Sequence, residues 1–298
     1  MKSFKMAGIS RANQYSPNHI GNDAAIFNAT VQHLEAAGCE VVLYTEDEFL
    51  QQDVKEMILF NMARNKEVIA KLQQLEDNGC IVVNSGYGIE NCTREKMTKL
   101  LMSNHIPHPK SLIVNTSQDI SAFLKNPTFS TCWIKRGDFH AIHREDVSFV
   151  RNPEEGLSIL QEYALRGIPT AVVNEHLCGD LVKFYGVANT DFFYWFYPFD
   201  MNHSKFGLEK INGEAKGIPF DKDALHAICQ KAAEVLKVHV YGGDCVIAED
   251  GTMRIIDFND WPSFAPCREE AAPYIAQTIL QEAALGSFRV VNHTLKLI

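Results

Sequence analysis

Asp257 and Asn259 stand two residues apart at the end of an apolar run in "RIIDFNDWPSF", Arg254 to Phe264. On an extended strand residues i and i+2 face the same way, so both side-chain oxygens project together. Upstream, "GGDCVI" reads as the other arm of a hairpin closed by "EDGT", whose Asp-Gly pair signals a tight turn. Counting outward from Asp250-Gly251 sets Asp244 opposite Asp257. Three hard oxygen donors, with no His or Cys among them, suit magnesium, with manganese as a substitute. A cation would also relieve the repulsion between adjacent carboxylates. The other reading of this pattern is a strand that ends in solvated polar residues.

Magnesium held without an all-protein cage implies phosphate oxygens as further ligands, hence a nucleotide. The chain has no Walker A sequence, and "GYGIEN" fails G-x-G-x-x-G at its last position. Phosphates must then be met by lysines elsewhere. Lys135 ends the strand "CWIK", and Lys96 opens a helix whose other face is apolar.

The elements that must position these residues fall into a pattern. Over the first hundred residues, strand, helix, glycine stop and strand alternate: "FKMAGI", "NDAAIFNATVQHLEAAG", "CEVVLY", "VKEMILFN", "NKEVIAKLQQLEDNG", "CIVVN". That alternation predicts a parallel sheet with crossover helices. Ligands bind such sheets beyond the strand C-termini. The loops "SRANQYSPNHIGND" and "NSGYGIEN" fall on that edge, which nominates Asn18, His19 and Asn22 for substrate contact. After the helix "CTREKMTKLLMSNHI", residues 110–176 read as a smaller α+β unit. Strands "DLVKFYGVAN" and "DFFYWFYPF", the loop "LEKINGEAKGIPF", a helix over "KDALHAICQKAAEVLK", the hairpin and a last helix over Glu269 to Glu282 complete the chain. The expected class is thus α/β with α+β character. The expected units are 1–104, a substrate-side parallel domain with its connecting helix; 105–176, a small central lobe; and 177–298, a lobe with the metal site. The aromatic run "FFYWFY" either stacks a substrate or, by alternation, puts half its rings in the core.

Bulk properties narrow the partners. The 298 residues carry 28 basic and 37 acidic side chains, a net charge of −9. That argues against a nucleic-acid binder, which needs a basic stripe. No apolar run approaches a membrane span, and "MKSFKMAGIS" lacks a signal-peptide core, so a cytoplasmic protein is expected. The eight cysteines are scattered without a C-x-x-C pair, which reads as buried free thiols.

Four stretches in order resemble the ATP-grasp enzymes, over roughly residues 84–285. "EKMTKLLMSNHIPHP" resembles the family's "DK…T…L…giP.P", "CWIKRG" its lysine-ended strand, and "VVNEHLCGD" its interdomain hinge. "GGDCVIAEDGTMRIIDFNDWPSF" resembles its metal pair. The likeness is to carboxylate–amine ligases of the glutathione synthetase and ribosomal-protein glutamate ligase type. It implies a two-lobed ATP-grasp fold behind an N-terminal α/β unit. It also implies ATP phosphates on Lys96 and Lys135, adenine at Glu175, His176 and Leu177, and magnesium on Asp244, Asp257 and Asn259. Lys183 matches a basic position that meets phosphate or substrate.

Two departures stand out. The glycine-rich lid is replaced by "RGDFHAIHREDV", in which His140, His143 or Arg144 are candidates for phosphate or substrate. Gly242 occupies the place of an arginine that stabilises the acyl-phosphate, a role that falls vacant or passes to Arg268 or Arg254. The activity implied is an ATP- and magnesium-dependent ligase joining a carboxylate, activated as acyl-phosphate, to an amine or thiol of a small molecule or peptide. The alternatives are a kinase, because the histidine-bearing lid also resembles that of inositol-phosphate kinases, or a non-catalytic nucleotide-binding protein. A homodimer is common in the family.

Overall fold

The computed structural model describes residues 4–16, 20–120, 124–140, 143–198 and 211–295. Asn18 and His19, nominated above for substrate contact, lie outside these. The alternation of the first hundred residues folds as a four-stranded parallel sheet of order β2-β1-β3-β4. Its strands are β1 (Lys5–Ile9), β2 (Glu40–Tyr44), β3 (Ile58–Asn61) and β4 (Ile81–Val83). Alternate residues of the inner strands enter two cores. Met6, Ile58, Phe60 and Val83 pack with α1 (Ile20–Ala36), whereas Ala7, Ile9, Leu59 and Val82 pack with α3 (Lys66–Asp77). Burial on both faces explains why these strands read as continuous apolar runs. Two short helices do not follow from the sequence pattern, α2 (Glu46–Gln51) and α4 (Gly86–Asn91). Neither is long enough to show a 3.6-residue period; their signals are the N-caps Thr45, in a capping box with Glu48, and Ser85.

Two antiparallel sheets follow the connecting helix α5 (Arg94–Ser103). The first, of order β5-β8-β6-β7, comprises β5 (Ser111–Asn115), β6 (Cys132–Arg136), β7 (Val147–Val150) and β8 (Thr170–Glu175). Cys132, Ile134 and Val173 pack on α6 (Pro153–Leu165), which leaves the opposite face, with Trp133, Lys135 and Asn174, turned to a cleft. The second, of order β10-β9-β11-β12, comprises β9 (Asp180–Val187), β10 (Phe193–Phe196), β11 (Val240–Ile247) and β12 (Met253–Asp260). Val182, Phe184, Cys245, Ile247 and Phe258 pack with α5 and α7 (Lys222–Leu236); Leu181, Lys183, Asp244, Val246, Asp257 and Asn259 face the cleft. The last helix, α8 (Arg268–Leu295), runs beyond the expected Glu282 and joins α1 in the core shared with the parallel sheet.

The aromatic run sorts by alternation. Phe192 and Phe196 enter one core, while Phe193, Trp195 and Tyr197 pack against the other; none lines the cleft. Six of the eight cysteines are buried and all are free thiols. Among the described residues no helix is long and apolar enough to cross a membrane.

Asn84, just after β4, ties the parallel sheet to β11. Its Oδ1 accepts from the backbone N–H groups of His239 and Val240, both at 2.8 Å, and its Nδ2 donates to Val240 O at 2.7 Å. The side chain is fully buried. Asn84→Ala should cost about 3 kcal/mol, since two buried N–H groups lose their acceptor. The expected reading is a thermal midpoint lower by about 6 °C; an unchanged midpoint would show that the seam carries no stability.

Candidate active site

The two antiparallel sheets and the C-terminal edge of the parallel sheet enclose a cleft of ≈ 250 Å³. Its floor is a row of three charges on adjacent strands. Lys183 on β9 pairs in register with Asp244 on β11, which pairs with Asp257 on β12. Lys183 Nζ lies 2.7 Å from Asp244 Oδ1, and Arg94, the first residue of α5, places Nη2 3.2 Å from Asp257 Oδ2. Asn259 is next on the same face, its Nδ2 3.4 Å from Asp257 Oδ2. Burial alone would raise the Asp257 pKa, but Arg94, then Lys135 and Lys183, and the Asn259 hydrogen bond hold it below the ordinary carboxylate value.

A β-bulge sets this geometry. Cys245 pairs with Ile255 but Asp244 with Asp257, so Ile256 is an extra residue on β12. Across the cleft, Lys135 on β6 donates from Nζ to Ile256 O at 3.0 Å. Lys135 is 7 % exposed. Burial, reinforced by Arg94 and opposed by Asp257 and Asp244, lowers its pKa to about 8. The same hairpin explains Gly242. A Cβ there would lie 2.6 Å from Tyr185 Cδ1, and one on Gly243 would meet the Asp257 carbonyl, so neither position has room for a side chain.

No protein-family profile and no curated protein matches this sequence. Solved structures do match in shape. A D-alanine–D-alanine ligase from Coxiella burnetii superposes with a TM-score of 0.71 at 10% identity, over 99% of this chain and 100% of that one. A RimK domain protein with an ATP-grasp fold from Sphaerobacter thermophilus gives 0.66 at 15% identity, over 92% and 99%. The ATP-grasp ligase PsnB, complexed with a minimal precursor, gives 0.61 at 15% identity, over 94% and 100%. The chain has the ATP-grasp fold.

Within the ATP-grasp cleft the structure gathers Lys135, Glu175, Leu177, Lys183, His140, Asp244, Asp257 and Asn259. Glu175 Oε1 is fixed by Lys110 N–H at 2.8 Å. His176 stands behind the wall: its Nδ1 accepts from Trp133 Nε1 at 3.2 Å, and it is Trp133 that lines the cleft. Four further placements differ from expectation. Lys96 lies on the outer face of α5, paired with Glu90 at 2.7 Å, and Arg94 lines the cleft instead. The reason is helical phase, because Arg94 shares the buried face of Met97, Thr98 and Leu101. His143 is exposed and starts a 3₁₀ turn, its N–H bound to Asp146 Oδ2 at 3.0 Å. Arg268 donates to Asn22 Oδ1 at 3.0 Å and does not line the cleft. Neither does Arg254, which lies 3.8 Å from Glu175 Oε1.

Arg11, Arg64 and Arg94 also line the cleft and do not figure in the sequence reading. Arg11 and Arg64 follow β1 and β3 on the edge where ligands are expected, which is the signal that could have found them. Among the described residues no three His, Cys, Asp or Glu side chains gather as a metal-binding group. Asp244, Asp257 and Asn259 are therefore an incomplete set whose chemistry fits an oxygen-loving cation completed by phosphate oxygens.

Proposed function

We propose that the protein is an ATP- and magnesium-dependent ligase that activates a substrate carboxylate for attack by an amine or thiol. The observation that carries this reading is the row Lys183–Asp244–Asp257 with Asn259 beside it and Lys135 facing it. Cations and carboxylates are paired there at one surface of the cleft. Each cation has a second use, because a triphosphate offers Lys183, Arg94 and Lys135 new oxygens while Asp244, Asp257 and Asn259 turn to magnesium. The metal, when bound, would neutralise charge on the transferring phosphoryl group. The solved structures of this fold, which include a D-alanine–D-alanine ligase from Bacillus anthracis complexed with ATP, support a ligase at the level of reaction class.

In the proposed reaction a carboxylate oxygen attacks the γ-phosphorus, and ADP leaves with the bridging oxygen. Lys135 and Arg94 hold the transferring group in place and take up its developing charge. The nucleophile then bonds to the acyl carbon, phosphate departs with the oxygen it shares, and the nucleophile's proton is lost. The adenine lies between Trp133 and the Glu175–Leu177 segment, where β8 leads into the second antiparallel sheet. With both an acid and an amine present, ADP and free phosphate should appear in equal amounts with a new amide. Stable phosphate on an acceptor would instead identify a kinase, and ATP binding without turnover would refute catalysis.

A further inference from the structure

The end of the cleft under the parallel sheet holds two guanidinium groups that take no part in the proposed reaction. Arg11 is oriented on all sides: Nε donates to Met62 O at 3.0 Å, Nη1 to Asp23 Oδ2 at 2.9 Å and Nη2 to Trp261 O at 2.9 Å. Arg64 is held from one side only. Its Nη2 lies 2.9 Å from Asp260 Oδ1 and 3.2 Å from Asp260 O, whereas Nε and Nη1 meet no acceptor among the described residues. Arg64 is 8 % exposed, and Asp260 is fully buried behind it. Burial first, and Arg11 among the neighbouring charges, lower the Arg64 pKa. Ser16 and Tyr15 line the cleft beside the pair.

A clamp between sheets would explain the bonds to Asp260 and Trp261. It would not explain a guanidinium edge left without acceptors at the wall of the cleft. A planar fork with its donors uncapped matches a carboxylate or phosphate, which accepts two parallel N–H bonds. Asp260, which orients Arg64, points to the face of β12 opposite Asp257 and Asn259, so it is not one of the proposed metal ligands. We infer that the acid substrate carries, besides the carboxylate that is activated, a second anionic group, carboxylate or phosphate, held by Arg64 and Arg11. The inference rests on the ligase reading, but the two can fail separately.

The test uses the full chain with ATP, magnesium and hydroxylamine as the amine, which converts any acyl-phosphate to a hydroxamate. Monocarboxylic acids are compared with dicarboxylic and phosphorylated acids of equal length. The expected result is at least a tenfold higher kcat/KM for acids with the second anion, and the preferred arm identifies that anion as carboxylate or phosphate. Arg64→Gln should bring the ratio near one, chiefly by raising KM for the dianionic acid. Arg11→Lys, which keeps the charge and loses the fork, should shrink it. Equal hydroxamate from both classes in the wild-type chain overturns this inference and leaves the ligase reading standing, as does a preference that survives in folded Arg64→Gln. No hydroxamate from any acid overturns both.

Discussion

Asp257→Asn should lower magnesium-dependent ATP turnover by about 10³-fold, the scale of losing one preorganised electrostatic partner of a phosphoryl group. The substitution keeps the shape of the side chain and its place beside Asn259, so the hairpin register is preserved. What it removes is the charge that Arg94, Lys135 and Lys183 together keep ionised. That charge has two roles, and they predict opposite effects. Toward magnesium it is a ligand, so metal-assisted nucleotide binding should weaken. Toward the nucleotide itself it is a repelling neighbour, so ADP without metal should bind at least as tightly as to the wild type. Calorimetric titration of ADP with and without magnesium reads both. If the variant loses metal-free ADP binding as well, the defect is one of folding and Asp257 has no special claim on the metal; if turnover is unchanged, the site assignment falls.

Some of this arrangement is legible in the sequence because its causes are local. The parallel sheet follows from apolar runs punctuated by glycines, and Gly38 and Gly79 do adopt positive φ after their helices. The facing of Asp244 and Asp257 is correct, yet for a reason that counting cannot supply. Near the turn Ile247 pairs with Met253, one residue out of step with a count centred on Asp250-Gly251, and the bulge at Ile256 restores the facing pair. Lys96 shows the converse. Motif likeness selects it, whereas the period of α5 selects Arg94, which sits three, four and seven residues before the buried Met97, Thr98 and Leu101. Local pattern can put Arg11 and Arg64 on the ligand edge but cannot supply their partners, since Arg64 meets the carboxylate of Asp260, 196 residues away. Gly242 is explained by Tyr185 on the neighbouring strand, which fills the space where an arginine side chain would have to start.

Lys135→Met should make the unliganded protein no less stable while lowering its affinity for magnesium–ATP by about 10- to 100-fold, the value of a hydrogen bond between charged groups. The stability half follows from where the ammonium sits. With its pKa lowered from 10.5 to about 8, the folded state disfavours the charged amine by about 3 kcal/mol. Methionine escapes that cost but leaves Ile256 O without its donor, about 1 kcal/mol against it. A rise in thermal midpoint of about 4 °C is expected. The pH dependence fixes the cause. Below pH 8 the wild-type amine is charged in both folded and unfolded chains, and the penalty is present in full. Between pH 8 and 10.5 the folded chain sheds the proton first, the penalty fades, and the two proteins should converge. Nucleotide binding should show the reverse trend, because a triphosphate favours the ammonium: wild-type affinity should decline above pH 8 while that of Lys135→Met stays flat. Parallel pH profiles for the two proteins in both measurements would mean that the buried ammonium is not waiting for phosphate. The lysine would then belong to the seam between the sheets, and the Lys183–Asp244–Asp257 row would have no partner across the cleft.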